Sequence, residues 1–350
     1  MVGRHNGLVA RVCQQVIDSN GVLPLALHCI IHQQNLCGKQ LNLEHVMKVV
    51  IKSVNFIRSH VLNHRSFKEF LNEIESEHND LVYHSEVRWL SRGKVLKRFF
   101  DLRHEIEIFM TEKSKHLPKL SNPLWLWDLA ILCDLTAYLN DLNVKLQGKN
   151  KLICHVYADI SAFQAKLQLF IQQAEREALV HFPTCAALRQ EQVNVRFPKR
   201  RMIQLLKLLS ENFEERFANF HDVKNEIRLF ENLFSIDVST APSDLQLELI
   251  ELQCQTSMKD KFREKELPEF YGELPAENFP NLQKLGMKMI TTFASTYVCE
   301  QTFSVLKRAK PGSCSCLTDD HLHSVLRIRV TNFDLNIQNL VSEKQLQTSH

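Results

Sequence analysis

The sequence predicts a mostly α fold with one short β segment, an α+β chain, and three observations carry this. Glycine and proline are scarce, 9 and 10 in 350 residues, which leaves room for long helices and little for a many-turned β sandwich. Apolar residues recur at three- and four-residue spacing through most of the length. Only Leu81–Trp89 alternates with a period of two. At roughly 150 residues per domain, the length allows about two domains, or one with a large insertion.

The elements follow in order. Asp18-Ser19-Asn20-Gly21 is a turn cluster, and the apolar run Val22–Ile31 is short enough for a buried strand leading into a helix. Leu43, Val46, Val50, Val54, Ile57 and Val61 share one helical face; Phe67, Phe70, Leu71 and Ile74 continue the spacing in a second helix. In Leu81–Trp89 the odd positions are Leu, Tyr, Ser, Val and Trp, a half-buried strand that sends Arg88 and Trp89 to opposite faces. Ser91 is placed to cap the next helix, striped by Val95, Phe99, Leu102, Ile106 and Phe109. Asn122 followed by Pro123 opens a further helix that Gly148 closes. Periodic segments cover 153–180 and 202–220. Asp237–Ser243 is a linker whose Ser243 caps a helix carrying Leu245, Leu249 and Leu252. Three prolines make 267–280 irregular. One apolar helix is expected from Leu282 to Lys307, Pro311-Gly312 ends it, and Thr318 caps a last helix over Asp319–Arg329. Ser342–His350 is a polar, frayed tail.

Charge bounds the function. Lys and Arg number 43 against 40 Asp and Glu, a net +3, so nucleic acid would have to be met by local patches. The ten cysteines stand singly, several in apolar helical stretches (Cys133, Cys154, Cys254), and are expected to be small hydrophobes rather than a disulfide framework. No run of 18 uncharged apolar residues suggests a membrane span, and MVGRHNGLVA lacks the apolar core of a secretory signal. The expectation is a soluble, intracellular, reduced protein.

Candidate sites are few. Cys29-x-x-His32, and Cys314 and Cys316 with His321 and His323, have ligand-like spacing, but zinc needs four ligands in tetrahedral reach and these halves lie far apart. No metal and no cofactor are expected. Arg196, Lys199, Arg200 and Arg201 flank Phe197-Pro198; such a run contacts phosphate, directs nuclear import or forms a solvated helix start. Glu300 shares a helical face with Phe293, Tyr297 and Ser304, where a carboxylate needs a partner; Lys307 or Arg308 would serve in a purely structural role. No Gly-rich phosphate loop, Ser/His/Asp order or HExxH supports a hydrolase or nucleotide-binding reading.

Three segments, in order, resemble the hAT superfamily of DNA transposases. Met1–Leu8 (MVGRHNGL) resembles the stretch after the family's second catalytic Asp, followed by its Cys-x-x-His segment in Cys29–Leu36. Val87–Gly93 (VRWLSRG) resembles its Arg-Trp motif at a strand end, and Ser295–Ser304 (STYVCEQTFS) the signature that carries its third catalytic acid, here Glu300. The resemblance spans nearly all of the chain. It is similar to the transposase-derived half of the general transcription factor II-I repeat domain-containing proteins, and domesticated zinc finger BED proteins are related in the same way.

The resemblance implies a ribonuclease H-like fold, truncated here and interrupted by a large all-helical insertion. In that fold three carboxylates hold two divalent metals. This chain starts after the position of the second Asp, Asp18 lacks the motif's flanks, and Glu300 alone cannot hold two metals. The BED finger is absent, and PGSCSC stands where relatives carry an Arg-rich loop. The implied organisation is a partial ribonuclease H-like core over 1–90, a helical insertion over 91–265, a returning, dimerising segment over 266–340 and a disordered tail over 341–350. The expected role is a catalytically inactive, nuclear fragment, not an enzyme, that associates with itself or with a related transposase-derived protein and with no membrane. Phe293, Tyr297, Phe303, Leu306, Leu322 and Leu326 are the candidate dimer contacts. The rival expectation is weak, non-specific nucleic-acid binding through Arg88, Trp89, Lys199, Arg200 and Arg201, the Trp being the family's base-stacking residue.

Overall fold

A computed structural model describes residues 7–19, 21, 28–41, 43–81, 89–148, 151–292, 295–310 and 318–330. They fall into two compact units, one ending at Ser295 and one starting at Thr296. The larger unit begins with α1 (Leu8–Asp18), α2 (Ile30–Lys39), α3 (Glu44–Arg58), α4 (Val61–Glu73), α5 (Trp89–Asp101) and α6 (Arg103–Glu112). Next come α7 (Pro123–Leu146), α8 (Ile153–Glu175), α9 (Pro183–Glu191), α10 (Lys199–Arg216) and α11 (Asn219–Glu231). A 3-10 turn at Val238–Thr240 leads to α12 (Ser243–Gln253), α13 (Thr256–Glu264), α14 (Leu267–Glu273) and α15 (Pro280–Thr291). The smaller unit holds α16 (Tyr297–Ala309) and α17 (Asp319–Val330), packed on each other.

The protein is mostly helical, with no strand among the described residues. Of the segment expected as a strand, 82–88 lie outside them, and Trp89 opens α5 rather than ending a strand. Ser91 is therefore inside a helix and not its cap. The described part of 1–90 carries α1–α4 and the start of α5, which fits poorly with a sheet-based ribonuclease H-like core. The helix expected over 282–307 is two helices, α15 and α16, assigned to different units. Residues 267–273 form α14, because Pro268 sits in the first turn, where its missing N–H costs nothing. Ser243 is the first residue of α12 and Pro242 takes the cap position.

Most other spacings are borne out. Asn122 caps α7, its side-chain oxygen accepting from the Leu124 and Trp125 amides at 3.0 and 3.2 Å, and Gly148 follows the helix at φ +145°. Val46, Val50, Val54 and Ile57 are all buried on α3, while Val61 is exposed at the start of α4. The stripe Val95, Phe99, Leu102, Ile106 and Phe109 is buried, although Leu102 breaks it into α5 and α6.

α7 organises this unit. It packs against α2, α3, α5, α8 and α9, and 15 of its 24 residues are buried. A helix apolar on every side is stable only when enclosed. Two polar groups inside this packing tie neighbouring helices to α7. Gln34 donates to the Leu139 carbonyl (2.9 Å) and accepts from Asn143 (2.8 Å), tying α2 to α7. The buried Asp134 carboxylate accepts the Thr184 and Cys185 amides at 3.1 and 3.0 Å, satisfying the first turn of α9. Burial pushes its pKa up against the pull of those donors.

Farther along, Tyr271 stacks on Phe230 (4.8 Å between ring centroids) and donates its hydroxyl to the Phe230 carbonyl at 3.0 Å. Gly286 of α15 lies against this ring, and a Cβ there would sit 2.1 Å from Tyr271 Cδ1. The ring is fully buried and cannot swing away. Gly286→Ala is therefore expected to cost about 1–3 kcal/mol through overpacking, despite alanine's better helix propensity. Urea unfolding at unchanged m-value reads this; equal or higher stability would contradict the close approach.

Candidate functional site

The Arg-Trp segment leads into α5, and Gly93 shows why that helix sits where it does. A Cβ at Gly93 would lie 2.2 Å from Asn140 Nδ2, so the glycine lets α5 press against α7. Arg88 lies outside the described residues, as does the side chain of Trp89. Beyond Gly93 the helix carries Lys94, Lys97 and Arg98 along a cleft of about 610 Å³ closed on the other side by Ala137, Asn140 and Val144. Lys97 pairs with Asp101, which His78 also approaches at 3.5 Å. Lys94 is exposed and has no ion pair among the described residues.

Arg98 donates to the Asp80 backbone carbonyl at 2.8 Å. The Asp80 carboxylate in turn gathers Arg58 (2.7 Å), His64 (2.9 Å) and Lys68 (3.4 Å). One acid thus joins α3, α4 and the chain entering α5. Burial opposes its ionisation, but the His64 hydrogen bond and the Arg58 charge together hold the carboxyl below its ordinary 3.8.

The second basic run opens α10. Phe197 is buried edge-on to Trp127, with ring centroids 5.3 Å apart, and this anchors the segment. Arg201 is drawn to Asp128 (3.2 Å), which also holds His45 (3.0 Å). Lys199 is half-buried and Arg200 exposed, neither with a carboxylate partner among the described residues. Of the three predicted cations at this helix start, Arg201 is neutralised and two are free. The sequence around this helix is basic beyond the Arg-Trp pair: five cations (Arg88, Arg92, Lys94, Lys97, Arg98) fall within 88–98 without one acid. That density was legible in the sequence but was overshadowed by the motif inside it.

In the smaller unit Gln301 donates to the Tyr297 hydroxyl at 2.9 Å, and the Thr318 hydroxyl accepts the His321 amide at 3.4 Å, as a cap does. No described residue from 295 to 330 is buried. Phe303 is 62% and Ile328 58% exposed, while Leu306, Leu322, Val325 and Leu326 are half-buried. Phe293 and the Glu300 side chain lie outside the described residues. Among the described residues no three His, Cys, Asp or Glu side chains converge. Cys29 stands at the cap position of α2 and His32 is exposed on that helix. Burial pushes the thiols of Cys37 and Cys154 up to about 12 and about 11, and those of Cys133 and Cys185 well above the ordinary value. All four are protonated packing groups at neutral pH.

Residues 28–175 match the family described as the FAM200/GTF2IRD2 helical domain. The match runs from just before α2 to the end of α8, so it contains α7, its neighbours α2, α3, α5 and α8, and the α5 cleft, but not α9. The chain is 38% identical over 330 residues to general transcription factor II-I repeat domain-containing protein 2 of Bos taurus, across 94% of this chain and 34% of that protein. To the Mus musculus protein of the same name it is 36% identical over 312 residues, 89% of this chain and 33% of that one. The chain thus spans about a third of the length of the curated relatives it matches. No solved structure matches it.

The Asp80 cluster yields a pH prediction. Its folded pKa is depressed, so its stabilisation is present above the unfolded value of 3.8 and lost as pH falls through the lower folded value. Asp80→Asn is expected to cost about 1–3 kcal/mol at pH 7 and almost nothing well below pH 3.8. Urea titrations at both pH values test this; a gap that persists in acid would show that the charge is not what matters.

Proposed function

We propose that the chain is a transposase-derived, non-enzymatic module that works by protein association, its α16–α17 hairpin being the self-association element. The observation that supports this most is the exposure of that hairpin. It carries Phe303, Leu306, Leu322, Val325, Leu326 and Ile328, yet none of its described residues is buried. Two short helices are marginal alone, and apolar stripes of this kind gain stability only under a cover. A second copy, or a related transposase-derived chain offering the same hairpin, supplies a matching stripe. The ordered hAT-like motifs support the transposase origin. The relatives' names describe transcription-factor-type proteins, which supports a nuclear place and a non-enzymatic role.

A second reading, non-specific nucleic-acid binding, rests on the α5 cleft with Lys94 and on Arg200 at the start of α10. A few such cations give a weak, strongly salt-dependent phosphate contact.

The association reading predicts a dimer or larger species in sedimentation at high micromolar concentration, shifted to monomer by Phe303→Asp or Leu326→Asp. A chain that is monomeric throughout, whatever the residue at 303 or 326, would sink it. For the second reading, Lys94→Glu with Arg200→Glu should weaken binding to a mixed-sequence DNA duplex about tenfold. The salt slope should fall by about two contacts. Affinity and sequence preference unchanged between ~50 and ~200 mM salt would contradict it.

A further inference from the structure

A second apolar site lies within the larger unit. Between α2, α3, α5 and α7 opens a cleft of about 400 Å³ whose accessible apolar wall is the half-buried Met47 and Ile51, over the buried Leu43, Leu96 and Leu132. Its rim carries Lys39 and Lys48 against one acid, Glu44. Glu44 sits 3.8 Å from Lys48, and both side chains are almost fully exposed, so this pair neutralises little. Lys39 has no ion pair among the described residues, and Lys52, exposed one turn beyond Lys48, adds a further positive charge. The cleft is an apolar slot with a basic lip.

On α12 the complementary pattern is exposed. Leu247 is 74% and Ile250 48% exposed, three residues apart on the outer face of the helix. Asp244, three residues before Leu247, and Glu251, four after it, share that face. Neither carboxylate has a partner among the described residues. The inner face is used otherwise: Leu245, Leu249 and Leu252 are buried, and Glu248 accepts the Asn281 and Leu282 amides at 3.0 and 2.8 Å. Leu247, the more exposed of the two, is the least engaged in the fold.

We propose that the outer face of α12 in one copy, with Leu247 as anchor and Asp244 and Glu251 beside it, docks in the lysine-rimmed cleft of a second copy. The two surfaces agree in charge and polarity, an apolar knob edged by acids and an apolar slot edged by lysines. They are different surfaces, so the contact is head-to-tail and propagates unless a ring closes. It is independent of the hairpin dimer, which uses one surface twice.

The test uses the full chain carrying Phe303→Asp and Leu326→Asp, so that the hairpin contributes nothing. Two further versions reverse charge at exposed positions, where substitution leaves the fold intact. One carries Lys39→Glu with Lys48→Glu, the other Asp244→Lys with Glu251→Lys. Sedimentation velocity at low salt should show open-ended association of the background chain and a midpoint about tenfold weaker for each version alone. An equimolar mixture should recover the background behaviour, because each version's knob then meets a slot of opposite charge. Three results would overturn the proposal: a background chain that is monomeric at every concentration, charge-reversed versions that associate like the background, or a mixture no better than its components. The first of these would leave the hairpin dimer standing, so the two readings fail separately.

Discussion

The larger unit depends on the enclosure of α7. Its side chains include Trp125, Leu126, Trp127, Leu129, Ile131 and Leu135, all buried. Each such side chain contributes about 1.5–3 kcal/mol when withdrawn from water. That gain is available only if α2, α3, α5, α8 and α9 stand around the helix together. The polar groups admitted to the packing serve the same end. Asp134 fixes α9, and the Gln34–Asn143 amide pair fixes α2, each by hydrogen bonds that would be costly to leave unmade.

From this enclosure follow the positions of the exposed chemistry. Because Gly93 allows α5 to lie close on α7, the cations after it are held along a cleft edge instead of trailing in a loop. Because Phe197 is wedged under Trp127, the start of α10 is pinned with Arg200 outward and Arg201 drawn to Asp128. The hairpin α16–α17 has no comparable enclosure among its own residues.

Much of this was legible in the sequence, for reasons that can be named. Asn122-Pro123 and Gly148 bracket α7 because an amide cap, a proline in the first turn and a left-handed glycine each have one local meaning. The stripe on α3 was legible because four valine and isoleucine positions repeat on one face. The ends of α4, α6 and α8 were not. The chain there turns through Glu75, Ser114 and Glu177 at φ 51°, 54° and 56°, where no glycine signals a stop. The break between α15 and α16 was hidden because Phe293, Ala294 and Ser295 continue an apolar pattern. Of the period-two segment only Leu81 and Trp89 are described, and Trp89 opens a helix whose apolar residues Leu90, Val95, Leu96, Phe99 and Phe100 follow helical spacing. Of the site residues, the basic run at 199–201 was legible as charge, but only the fold shows that Asp128 takes Arg201 out of play.

α7 is enclosed by its neighbouring helices, and the described residues of α16 and α17 are all at least partly exposed. Amide hydrogen exchange on the full chain at low and at high concentration tests this most directly, because protection reports local enclosure element by element. The account predicts slow exchange throughout α7 at both concentrations, with α16 and α17 fast when dilute and slowed when concentrated. Strong protection of α16 and α17 in the dilute chain, equal to that of α7, would contradict it.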